Sequence, residues 1–124
     1  MIAAPRILSV MEERCRRAGA KLHDESLNCY QLTDVETVLR LIDGAIARYL
    51  RDSLDRYGSS ETLCSAQVAH TRMRDRLQLM DRHRDDMRVR ELRGVLLEVQ
   101  DHALEALLAI QRDLECKPAL LLST

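Results

Sequence analysis

Two prolines lie near the ends of this chain, Pro5 and Pro118, and there are none between them. No stretch of that interval combines period-two alternation with β-branched and aromatic enrichment, so the pattern gives no strand. Apolar residues recur instead at spacings of three and four, the signature of helices with one buried face. Composition then limits how such helices pack. The chain has no Trp and no Phe, and aromatics make up 2% of it. Its core must come from Leu, Ile, Val, Ala and Met, which suits thin layers between helices. A chain of 124 residues is expected to form one all-α domain, an antiparallel helical bundle or hairpin with a long C-terminal helix.

Three helical spans follow from the punctuation, at about 5–23, 34–57 and 60–116. The first starts at Pro5, which a first helical turn tolerates. It carries a stripe of Ile7, Met11, Cys15, Ala18 and Leu22, and residues 24–32 then read as a loop. The second starts at Thr33, which forms a capping box with Glu36. It buries Val35, Val38, Leu39, Ile42, Ile46, Tyr49 and Leu50, and ends at Gly58 in a left-handed cap. Gly44 lies inside it, where a missing side chain admits a second helix. The third starts at Ser59 or Ser60. A seven-residue step through Ala66, Met73, Met80 and Met87 gives it a coiled-coil character. Between residues 81 and 90 its apolar positions thin out. An unbroken helix here would span roughly 80 Å, so the chain either bends near Arg84 or projects toward a partner. The short apolar run at residues 119–122 suggests docking onto something.

The chemistry-bearing residues assemble no recognisable catalytic motif. His23, His70, His83 and His102 show no i, i+4 pair, and neither HExxH nor Cys-x-x-Cys is present. His70, on an apolar face, reads as a core-edge histidine. Cys64 and His70 are six apart on one helix and point to different places. Asp85 and Asp86 sit in a charged stretch that reads as a solvated face. No glycine-rich phosphate loop is present. No enzyme, metal site, cofactor or small-molecule substrate is expected.

Formal net charge is -1, from 19 basic and 20 acidic residues, which gives no global pull toward nucleic acid. Arg72, Arg74, Arg76, Arg82, Arg84, Arg88, Arg90 and Arg93 alternate with Asp75, Asp81, Asp85, Asp86 and Glu91, as on an ion-paired solvent face. No aromatics stand among them for base stacking. No apolar run approaches the length of a membrane span, and no secretory signal is visible. Glu12 and Glu13 argue against a presequence in the Arg-rich start. The four cysteines, Cys15, Cys29, Cys64 and Cys116, allow two disulfides in three connectivities. Read from composition alone, they are small buried apolar residues of a reducing compartment.

Three elements in order resemble the caffeine-induced-death-protein family. They are Asn28-Cys29 leading to residues 38–50 (VLRLIDGAIARYL), then Cys64 followed by residues 69–77 (AHTRMRDRL), then Cys116 before Lys117-Pro118. Asp43 is followed here by Gly44, where the family carries a second Asp. The resemblance covers roughly residues 28–118. It implies a small helical protein of the mitochondrial intermembrane space, with cysteines that can oxidise and no catalytic site. Otherwise a cytoplasmic location is expected. The function expected is that of a non-catalytic assembly or interaction subunit, an accessory or structural component of a larger mitochondrial complex. The alternative is a cytosolic or nuclear coiled-coil adaptor with a weak Arg-mediated nucleic-acid contact. Partners are expected to be other protein subunits. The surface expected to meet them is the apolar excess of the last helix: Leu92, Leu96, Leu97, Val99, Leu104, Leu107, Leu108, Ile110 and Leu114. A helix apolar over so much of its circumference needs cover on two sides.

Overall fold

The computed structural model describes residues 3–116. Four helices account for most of them: α1 (Ala3–Leu22), α2 (Cys29–Tyr57), α3 (Glu61–His83) and α4 (Val89–Glu115). Among the described residues there is no strand.

Each helix is antiparallel to the next, and side-chain ties between them show the register. From α2 to α3, Asp43 meets His70, Arg40 meets Asp81 and Glu36 meets Arg84. From α3 to α4, Thr62 reaches Asp113 and Arg76 reaches Glu98. From α1 to α4, Arg93 donates to the Leu22 carbonyl, Gln100 to the Cys15 carbonyl and Gln111 to Glu12. The result is an up-down-up-down bundle closed by α4 against α1. Its core is aliphatic, with Leu22, Leu32, Leu39, Ile42, Ile46, Leu63, Met73, Met80, Leu96, Leu107 and Ile110 among the fully buried residues.

The long pattern from residue 60 to 116 is two helices. The chain leaves α3 through a single 3₁₀ turn, Arg84–Asp86, and passes Met87 and Arg88 in extended conformation before α4 begins. The physical reason is local and tertiary together. Residues 81–86 offer no apolar face to bury. Arg84 meanwhile grips Glu36 on α2 with two hydrogen bonds of 2.9 and 2.7 Å, a bidentate geometry that fixes the turn. α4 therefore folds back along α3 and does not project. Alanines line this seam, Ala66 and Ala69 on α3 and Ala103, Ala106 and Ala109 on α4, all buried. Small side chains let the two helices approach closely.

The start of α2 differs from the expectation. It opens five residues earlier, at Cys29, on a capping box formed by Asn28 and Gln31. Asn28 Oδ1 accepts from the Gln31 amide, and Gln31 Oε1 accepts from the Asn28 amide, both at 2.9 Å. Thr33 and Glu36 fit the same sequence pattern but do other work. Thr33 donates back to the Cys29 carbonyl, a mid-helix habit of threonine, and Glu36 is engaged by arginines. Leu32, read as loop, is fully buried. The ends either side of Gly58 follow the expectation more closely. Gly58 has φ 73° and ψ −168°, a positive-φ region reserved for glycine, though outside the left-handed helical well. Ser60 Oγ caps α3 by accepting from the Leu63 amide at 3.1 Å.

Candidate interaction surface

The apolar excess of α4 is covered mainly by the chain itself. Leu92, Leu96, Val99, Leu107 and Ile110 are buried in the core, and Leu97, Leu104 and Leu114 pack against it half-buried. Leu108 is also half-buried. The two sides of cover that this helix needs are supplied by α1 and α3, with α2 across the core. The expectation that these nine residues form an outward partner face is corrected accordingly. What they leave is a narrow shoulder of Leu97, Leu104 and Leu108.

The larger opening lies between α1 and α2. α1 is drawn toward α4 by a reciprocal pair of contacts: Cys15 Sγ donates to the Gln100 carbonyl, and Gln100 Nε2 to the Cys15 carbonyl. Gly19 makes this approach feasible, since a Cβ there would lie 2.6 Å from the Gln100 side chain. Residues 23–28 connect α1 to α2. A trough follows the seam. It has a volume of about 890 Å³, with Met11, Ala18, Leu27, Val35, Val38, Leu41 and Ile42 among its lining residues. A second, smaller cavity of about 170 Å³ is lined by Ile7, Leu8, Met11, Ala45, Ile46, Tyr49, Leu107 and Ile110. Met11 is common to both. Leu41 is 61% exposed and Ile7 51%.

Charge on the trough is unevenly placed. Arg14, Arg17 and Lys21 line it from α1, and Asp24, Gln31 and Asp34 from the other side. Spacings of three and four put the basic residues on one edge of α1. Arg17 pairs with Glu13; among the described residues Arg14 and Lys21 form no ion pair. Asp24 accepts from the Ser26 amide and hydroxyl, which hold its carboxyl below the ordinary range.

Little in the apolar pattern pointed to this trough, since Leu41 falls outside the stripe that defines the core face of α2. A signal was present in the breadth of the pattern: Val38, Leu41 and Ala45 form a second stripe beside Leu39, Ile42 and Ile46.

Polar groups inside the bundle act as ties. Asp113 is fully buried. Its carboxylate accepts from Tyr49 at 3.0 Å, Ser53 at 3.4 Å, Ser60 at 3.0 Å and Thr62 at 2.7 Å. Two helices and the connection between α2 and α3 thus converge on α4. Burial first, and then the Asp113 charge, pushes the Tyr49 hydroxyl well above its usual range and keeps it a donor. Burial alone would raise the Glu36 carboxyl, but hydrogen bonds from Arg84 and then Arg40 outweigh it and hold Glu36 below the usual range. His70 Nε2 lies 2.7 Å from Asp43. Among the described residues no hydroxyl or thiol joins that pair, so its geometry is that of a tie between α2 and α3.

All four cysteines are free, Cys15 buried and Cys29, Cys64 and Cys116 exposed. The reading of four buried apolar residues therefore holds for Cys15 alone. Burial pushes the Cys15 thiol up to about 11, against a hydrogen bond with Gln100 that lowers it. Cys29 opens α2, whereas Cys64 and Cys116 lie at the opposite end of the bundle, beside the start of α3 and the end of α4. α2 is roughly 40 Å long, so the two connectivities that join Cys29 to either of them are out of reach of a disulfide.

Among the described residues, no group of three or more His, Cys, Asp or Glu side chains is placed to hold a metal ion. Among the described residues no helix is long and apolar enough to cross a membrane. The run at residues 119–122 lies outside the described residues. No family model, curated protein or solved structure matches this chain.

Proposed function

We propose that this chain is a non-catalytic assembly subunit, an accessory or structural component of a larger protein complex, and that it docks a partner in the trough between α1 and α2. The observation that carries this reading is Leu41. A large aliphatic side chain, 61% exposed, stands on a trough that it shares with Met11, Val38 and Ile42. A contiguous apolar surface of that kind, with a charged rim, is a recognised mark of an interaction site. Within this proposal, the family resemblance gives the complex a mitochondrial intermembrane-space address, where Cys64 and Cys116 are the pair at one end of the bundle. The nucleic-acid alternative has less support, because Arg76, Arg84 and Arg93 of that stretch are engaged with Glu98, Glu36 and the Leu22 carbonyl.

Size-exclusion chromatography of extracts from the cells that make the protein tests the reading. The wild-type chain should elute well above its own 14.2 kDa. Leu41→Asp should return it to monomer size without loss of folding, and Leu104→Asp on the α4 shoulder should leave the assembly intact. Elution of the wild type as a monomer overturns the assembly role. A response to Leu104→Asp alone moves the interface to α4.

A further inference from the structure

We infer that the occupant of the α1–α2 trough is an amphipathic helix of a partner protein with an acidic edge, lying with that edge along α1. This rests on the reading of the trough as a docking surface and adds the chemistry of what docks.

Shape comes first. The trough follows two antiparallel helices, and from Met11 to Lys21 it runs for roughly 15 Å, about three helical turns. Its floor is aliphatic, with Met11, Val38, Leu41 and Ile42. A helix presenting residues at i, i+3, i+4 and i+7 fits such a floor, as in the helix-in-groove mode of recognition. An extended strand has no sheet edge here to pair with.

Charge then orients the helix. Arg14, Arg17 and Lys21 are exposed along the wall formed by α1. Among the described residues neither Arg14 nor Lys21 has an ion-pair partner. The facing wall carries Asp34, also exposed and outside any ion pair among the described residues. A helix with Glu or Asp along one edge and a basic residue on the other meets both walls with opposite charge. A helix of the reverse handedness of charge meets like charge on both, which discriminates between partners. A flat anionic membrane surface would meet the basic wall but would leave the concave floor unfilled.

The test uses the full chain and two 18-residue helical peptides that share one leucine stripe. One carries Glu along the edge that faces α1 and Lys opposite. The other carries the same residues exchanged. Fluorescence anisotropy at low salt should show the Glu-edge peptide binding about tenfold tighter, the sum expected of three exposed ion pairs. The preference should shrink as salt screens the charges. Combined Arg14→Glu, Arg17→Glu and Lys21→Glu should reverse it. If that variant does not fold by circular dichroism, Gln at the same three positions should abolish the preference. Equal binding of the two peptides, tighter binding of the exchanged one, or binding of neither overturns the acidic-edge inference. The assembly test with Leu41→Asp decides the trough reading separately. Binding to phosphatidylserine vesicles that the triple variant loses, with no peptide bound, makes the occupant a membrane and also overturns it.

Discussion

The α3–α4 hairpin and the α1–α2 pair are built from similar sequence and end in opposite states. Along α3–α4, buried alanines let the helices close, and the large apolar side chains facing the seam are covered. Along α1–α2, a trough stays open beside α1, which is tied to α4 through Cys15, Gly19 and Gln100. Leu41 and Ile7 are left in solvent. Apolar content alone therefore does not identify a docking face. α4 carries the greater surplus and hides most of it, while α2 carries less and exposes a key part.

The largest effect expected of this contrast is on stability. Leu96→Ala, at a fully buried position on α4, should cost about 3 kcal/mol in urea unfolding. Leu41→Ala should change stability by no more than about 0.5 kcal/mol. Equal losses would mean that the α1–α2 seam is as closed as the α3–α4 seam, and the comparison would collapse.

A middle-sized effect probes what turns α4 back. Glu36→Gln should cost about 2 kcal/mol at pH 7, since it weakens hydrogen bonds to two charged arginines. The carboxyl of Glu36 is held below its ordinary value in the folded chain. Its contribution is thus present above the unfolded value near about 4.3 and fades as pH falls through the lower folded value. Unfolding curves of the two proteins should converge in acid. A constant gap down to pH 3 would sink the role assigned to the charge.

The smallest effect concerns Gly44. The sequence suggests that this glycine admits a second helix, yet a Cβ there would meet nothing within 4 Å. Gly44→Ala should therefore stabilise the isolated chain by about 1 kcal/mol through helix propensity. A loss would place another helix against that position and sharpen the contrast with Gly19, where the approach of Gln100 is real.

The all-helical fold was legible in the apolar spacing, as were the caps at Gly58 and Ser60, because a cap or stripe involves residues three or four apart. Residues 81–90 marked where the pattern thinned, but a bend and a projecting helix fit them equally. Asn28/Gln31 and Thr33/Glu36 fit the capping pattern equally too. Local sequence had no means to separate them, since what disqualifies Glu36 is an arginine 48 positions away.

Local spacing was enough to specify helices with aliphatic faces, and roughly where most of them stop. Long-range contacts selected which faces would be covered. The bond between Gln100 and Cys15 spans 85 positions and pulls α1 toward α4. Arg84 ties the turn that follows α3 to Glu36 on α2. Burial depends on which helices such ties bring together, and helical periodicity, being local, carries no record of that choice.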